Sequence, residues 1–399
     1  VKPWHVIVYI VVALLGFSVV TVYSTDMTAS GSCGTGYQFL KHILWIGIAS
    51  LLLVIMSKID YHYLQKLSIP ILAASFVLLV MVLLPGIGTV TNGARRWIRI
   101  NRILGIQPSE FAKLAVIIFV SSYIAKNQSR MPKFTYGFIF PLMVVAVISA
   151  LILKEPDFGT AAFLAILSVT MLIAGGTRII FVLFTVMAVT PCVHKMLFDV
   201  PFRKIRLLSF LDPWKDPSGT GYQIIQSYIA LGSGGLTGLG PGSSRQKLFF
   251  LPESNSDFIF TIIGEEFGFL GVIVIIGLFL SLVWYGLKIV HTAKDVFGFF
   301  LGLGITVMFG LQAALNMAVI SGLVPTKGIP LPFLSSGGSS LLFSMMGIGI
   351  LLNIAKQSEV SETVSLVTDR AEPPKNELEK MMPLGIWSKM ITKVADFSW

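Results

Sequence analysis

Residues 251–270 read LPESNSDFIFTIIGEEFGFL, and the polar half of this stretch ends at Asp257. The next position opens an apolar run, Phe258–Trp284, of about 27 residues. As a helix it would be near 40 Å long, against a hydrocarbon core of about 30 Å. Such a helix must tilt or project from one face of the bilayer. Asp257 then sits where it meets the headgroups, with Glu265 and Glu266 two turns deeper. Insertion scales put a central Asp at about 2.5–3.5 kcal/mol unfavourable, so acids in and beside a membrane helix need a reason. Ser254-x-x-Asp257 ahead of an apolar run also matches a capping box. The stretch alone leaves capping and chemistry both open.

The composition makes this an integral membrane protein. Of 399 residues 54% are hydrophobic and 13% charged, and mean hydropathy is +0.81. Cys33 and Cys192 are too few for a disulfide framework, and the five histidines are scattered without an HExxH pattern, which argues against a protein-ligated zinc. The first apolar run is long enough to span and no A-x-A-like site follows it, so it reads as a span, not a cleaved signal. A net charge of +10 in such a chain reflects loop Lys/Arg facing anionic lipid; no pattern for nucleic acid accompanies it.

Ten apolar runs are each long enough to span as helices: 6–23, 38–56, 67–84, 108–125, 137–153, 158–174, 179–197, 258–284, 297–320 and 338–355. The expected fold is all-α, a polytopic bundle of ten transmembrane helices (1–355) with one large extracellular loop at 198–257. An even count puts both termini on one side. With the N-terminus inside, the short inner loops and ends carry Lys2, Lys58, Lys66, Lys126, Arg130, Lys133, Arg178, Lys288, Lys294 and Lys356; the short outer loops carry Lys41, Arg95, Arg96, Arg99, Arg102, Lys154 and Lys327. The balance favours the cytoplasmic N-terminus.

The arginines of TNGARRWIRINR (91–102) work against that orientation rule. They read either as a solvated amphipathic turn touching lipid phosphates or as an anion site, since guanidinium forks grip phosphate bidentately. Trp97 beside them is an interfacial anchor or a platform for a sugar ring. Loop 198–257 adds Arg203, Lys204, Arg206, Arg245 and Lys247, with Gly-rich GSGGLTGLGPGSS (232–244) after the amphipathic or re-entrant QIIQSYIAL (223–231). It contains no Walker A or dinucleotide fingerprint. Glu110 and Lys113 share a helix face three residues apart, an easy ion pair; Lys154, Glu155 and Asp157 crowd a short turn between two spans. These charges neutralise one another inside the bundle or handle substrate. The tail, 356–399, is polar and expected to be mostly disordered, with an amphipathic stretch, GIWSKMITKVADFSW, at its end.

Taken together, TNGARRWI (91–98), QPSEFAKLA (107–115), EPDFGTA (155–161), DPSGTGYQIIQS (216–227), LPESNSDFIF (251–260), GEEFGFLG (264–271) and PLPFLSSGGSS (330–340) resemble the signatures of the SEDS family, the polytopic glycosyltransferases FtsW, RodA and SpoVE of the bacterial cell wall. The resemblance spans most of 1–355 in order. PTKG (325–328) followed by PLPF looks closer to the division branch, FtsW, than to RodA. Asn255 stands where a His is common, and Ser336 where a Tyr is usual.

The resemblance implies a peptidoglycan glycosyltransferase of the plasma membrane that polymerises lipid II during septal wall synthesis, with cytoplasmic termini and an extracytoplasmic active site. It implies Asp257 as the essential acid, Trp97 as the family's Trp, and Glu110, Lys113 and Asp157 as the cavity charges. The transfer inverts an α-linked donor to a β-linked product, so one general base suffices, and Asp257 fits that role. Arg95, Arg96, Arg203, Arg206, Arg245 and Lys247 are candidates for the pyrophosphate, with a divalent cation such as Mg2+ as a further neutraliser. Glu265 and Glu266 are assigned to the cavity floor. The implied partners are a class B penicillin-binding protein and other divisome membrane proteins. The competing class is a lipid II flippase that performs no chemistry.

Overall fold

A computed structural model describes residues 2–29, 36–91, 94–99, 105–199, 201–247, 256–325 and 328–371. Hydrocarbon offers no partner to a backbone N–H or C=O, so each apolar run closes its own hydrogen bonds as a helix. The helices are α1 (Pro3–Ala29), α2 (Tyr37–Lys58), α3 (His62–Lys66), α4 (Ser68–Leu83), α5 (Pro108–Lys126), α6 (Phe140–Lys154), α7 (Phe158–Ala174), α8 (Ile179–Phe198), α9 (Pro201–Leu211), α10 (Tyr222–Ser233), α11 (Ile259–His291), α12 (Val296–Ile320) and α13 (Gly338–Ala371). Among the described residues seven helices are long and apolar enough to cross a membrane, and α4, α7 and the start of α8 are shorter apolar helices.

Three helices overrun their hydropathy edges. The first apolar run, 6–23, extends to Ala29; 258–284 extends to His291; and 338–355 extends through a polar segment to Ala371. Ser, Thr, Lys and Glu continue the helical ladder beyond the apolar stretch, so hydropathy ends before the helix does. Residues 356–371, expected to be disordered, are therefore helical; 372–399 lie outside the described residues. Residue contacts divide the chain into two compact units, Val1–Ala355 and Lys356–Trp399.

In the first unit α5 is the central post. It is buried on nearly every side from Pro108 to Ile124 and packs on α4, α7 and α12. A helix enclosed by others has no need of an amphipathic stripe, which is why α5 carries Ser, Glu and Lys among its apolar residues. α11 packs on α1, α10 and α12.

Contacts define the two ends of the bundle. At one end the Tyr61 N–H donates to Asn353 Oδ1 at 3.0 Å, Asn353 Nδ2 donates to the Ser57 carbonyl at 3.1 Å, and the Tyr61 hydroxyl donates to Asp295, the N-cap of α12. Burial, then the bond to Asp295, raises the Tyr61 phenol above its usual pKa, which keeps it a donor. At the other end lies a small three-stranded antiparallel sheet that the sequence reading did not anticipate: β1 (Gly88–Thr91), β2 (Ala94–Arg99) and β3 (Gly105–Ile106), in order β1-β2-β3. The arginine segment is thus strand, not an amphipathic turn. Thr91 pairs with Ala94 across a two-residue Asn-Gly connection, the strongest short hairpin signal.

α11 is broken near its start. Gly268 has φ 65° and ψ −162°, and the glycine-rich segment after α10 lies against the break. Leu239 and Gly240 N–H donate to the Glu265 and Glu266 carbonyls at 3.0 Å each, and Phe269 and Leu270 N–H donate to Gly235 and Leu236. Side chains at Gly234, Gly238 or Gly268 would collide with the facing backbone. Glycine density here serves the close approach of two main chains, which satisfies the backbone groups that the break releases.

Candidate active site

Asp257 lies two residues before the first helical residue of α11, and Phe258 is the N-cap, with no side-chain cap bond. The capping-box partner Ser254 and the departure Asn255 lie outside the described residues. Asp257 is half-buried in a turn held from two elements. Asn316 Nδ2, on α12, donates to the Asp257 carbonyl at 2.8 Å and to the Ile329 carbonyl at 2.7 Å. Ser335 Oγ donates to the Ser256 carbonyl at 2.8 Å. Gly328 stands directly against the carboxylate: a Cβ there would come within 2.5 Å of Asp257 Oδ2.

One turn before Asn316, Gln312 Nε2 donates to the Pro330 carbonyl at 2.8 Å, while its Oε1 accepts from Lys113 Nζ at 3.3 Å. Lys113 is ion-paired with Glu110 at 2.9 Å, both buried, and sits 5.5 Å from the Phe163 ring centroid. Gln312 and Asn316 went unremarked in the sequence because a polar amide inside an apolar helix carries no motif; their spacing of four on one buried face was the available signal.

The short turn between α6 and α7 holds two differently used acids. Asp157 is the N-cap of α7: its carboxylate accepts from Thr160 N at 3.1 Å and Thr160 Oγ1 at 2.9 Å. Glu155 is buried, and neither carboxyl oxygen has a partner among the described residues. Burial, then the neighbouring Asp157 charge, pushes its pKa up to about 8 against the pull of the Arg96 guanidinium. Lys154 is exposed and not drawn into this turn. Arg96 Nε donates to the Glu155 carbonyl at 3.0 Å and its terminal nitrogen to the Pro156 carbonyl at 2.6 Å. Two donors of its fork therefore tie the hairpin to the bundle, whereas Arg95 is exposed. Trp97 is half-buried on β2, its carbonyl accepting from Thr89 Oγ1 at 3.0 Å.

Glu265 and Glu266 hold the segment that follows the glycine-rich stretch. Glu265 accepts from the Ser244 hydroxyl and from the backbone N–H groups of Arg245 at 2.9 Å and Gln246 at 3.4 Å. Glu266 accepts from Ser24 Oγ at 2.6 Å and Lys247 Nζ at 3.0 Å. Lys247, a pyrophosphate candidate by sequence, is fully buried in this pair and presents no ammonium to a ligand. Two ions in a low-dielectric interior attract strongly enough to close on each other. Arg245 is exposed. The backbones of Arg203 and Arg206 lie in α9; their side chains are outside the described residues. Among the described residues no group of three or more His, Cys, Asp or Glu is gathered to hold a metal. A cation arriving with a diphosphate needs only one or two protein carboxylates.

This arrangement defines a multi-pass helical membrane protein with an acid in a pinned turn and a buried charge pair at one end. The chain belongs to the FtsW/RodA/SpoVE family of cell cycle proteins, whose model matches residues 5–360. Within it, the chain is 46% identical over 352 residues to the probable peptidoglycan glycosyltransferase FtsW of Trichlorobacter lovleyi, covering 88% of this chain and 92% of that protein. It is 39% identical to the stage V sporulation protein E of Bacillus subtilis, covering 90% and 98%. Among solved structures it superposes on a chain of a peptidoglycan synthase complex that coordinates polymerisation and crosslinking, with TM-score 0.73, 26% identity, and 88% and 97% coverage. The fold is also that of the rod shape determining protein RodA of Thermus thermophilus, with TM-score 0.64, 22% identity, and 90% and 98% coverage.

Proposed function

We propose that this chain polymerises lipid II into glycan strands at the outer face of the bacterial plasma membrane during septal wall synthesis, with Asp257 as general base. That it is a peptidoglycan glycosyltransferase follows from its family and from FtsW relatives at 40–46% identity across 88% of its length. The catalytic detail rests on one observation: the Asp257 turn is fixed from α12 and from the 328–335 segment while the residue itself stays half-buried. In this reading the carboxylate takes the proton from the C4 hydroxyl of the acceptor GlcNAc as that oxygen attacks the donor anomeric carbon. The lipid pyrophosphate leaves with both bonding electrons.

Exposed Arg95 and Arg245 are the pyrophosphate candidates the described side chains favour, and Arg203 and Arg206 in α9 stay candidates by sequence. Charge neutralisation of this kind replaces a general acid, because a pyrophosphate is already a good leaving group. Asp157, Glu265 and Glu266 shape the site through the bonds they accept. The proposed orientation has both termini cytoplasmic and ten crossings. The likeness to a synthase complex supports a crosslinking partner, a class B penicillin-binding protein, among the divisome membrane proteins.

The break in α11 favours a second reading, a flippase, since broken helices are a transporter device. Purified protein and fluorescent lipid II separate the two, assayed with and without the cognate transpeptidase. Chains formed in detergent solution support the polymerase; headgroup translocation in sealed vesicles without chains supports the flippase.

A further inference from the structure

We propose that Asn316 is the positioning residue for the Asp257 carboxylate, and that with Gln312 it ties that carboxylate to the Glu110–Lys113 pair. The inference rests on Asp257 being the base and adds what holds it in register. Asp257 lies outside the helical ladder of α11, so its backbone torsions are not fixed by intrahelical bonds. Asn316 spends its amide nitrogen on two carbonyls from segments far apart in sequence, Asp257 at 2.8 Å and Ile329 at 2.7 Å. Ile329 follows Gly328, the residue whose backbone faces Asp257 Oδ2. One amide thus sets the distance between the carboxylate and the wall it rests on. Gln312, four residues earlier on α12, repeats the arrangement on Pro330 and accepts from Lys113. The path Glu110–Lys113–Gln312–Pro330–Ile329–Asn316–Asp257 is continuous in ion pairs, hydrogen bonds and one peptide link.

Displacing a reacting group by about 1 Å costs as much as 100-fold in rate, so losing this brace falls on kcat. Asn316→Ala removes both hydrogen bonds. Gly328→Ala removes none, but its methyl must push the carboxylate aside. In the lipid II assay each is expected to lower kcat about 10- to 100-fold with KM within about twofold, and Gln312→Leu to give a smaller loss in the same direction. General loosening of the fold would instead raise KM and lower the unfolding temperature together. Folded Asn316→Ala at the parent kcat overturns the proposal. If that variant does not purify as a folded protein, the near-isosteric Asn316→Leu, which also removes both hydrogen bonds, decides in its place, and the parent kcat there overturns it equally. Asp257→Asn at the parent rate would sink the base assignment itself; an inactive Asp257→Asn beside a fully active Asn316→Ala would sink only the positioning role.

Discussion

Glu155 and Asp157 are two residues apart, and their surroundings give them opposite characters. Asp157 has a hydroxyl and an N–H on its carboxylate and is a helix cap. Glu155 has burial and no partner among the described residues, and holds its proton up to about pH 8. The sign of the consequence follows from linkage. The unfolded chain releases this proton near the usual 4.5, whereas the folded chain keeps it to about 8. Stability from this group is therefore complete below 4.5 and lost as pH climbs towards 8. Thermal melts in detergent at pH 5 and pH 8 are expected to show Glu155→Gln losing less stability with rising pH than the parent; identical pH dependence would contradict this. The acids themselves were visible in EPDFGT. Their division of labour was not, because it depends on the burial of Glu155 in the assembled bundle, which nothing local to the motif shows.

At the scale of the element, the broken start of α11 and the loop against it form one unit. A methyl at Gly268 meets the backbone of Gly238 and forces a left-handed torsion on an L-residue. Gly268→Ala is expected to cost about 1–3 kcal/mol from strain alone and to lower the melting temperature. Lys247→Met leaves Glu266 buried and unpaired, and removing one member of such a pair costs about 3–5 kcal/mol. The double variant Lys247→Met/Glu266→Gln is expected to recover most of that loss; a double variant no better than the single would show that the pair is not what holds the segment. Helix edges were legible where hydropathy and helix end together, as in α4 and α12, and not where polar helix formers carry on, as in α13. Lys113 was paired correctly with Glu110 from spacing alone. Lys247 was not paired with Glu266, because nothing local ties a loop lysine to a helix that starts a dozen residues later.

Across the whole molecule, α5 stands enclosed while other helices turn long apolar faces outward, as a bundle solvated by lipid requires. The proposed orientation puts the segment between α9 and α10 outside the cell. Trp214, exposed in that segment, replaced by Cys in a Cys33→Ser/Cys192→Ser background is expected to react with a membrane-impermeant maleimide on intact spheroplasts. Labelling only after lysis would reverse the orientation. The central claim has a more direct test: glycan-chain synthesis from fluorescent lipid II by purified Asp257→Asn beside the parent, both with the crosslinking partner. A general base contributes about 10²–10⁴-fold, so the account predicts a loss of at least 100-fold in a protein that still folds and binds substrate. Chains of parental length made at the parental rate would contradict it.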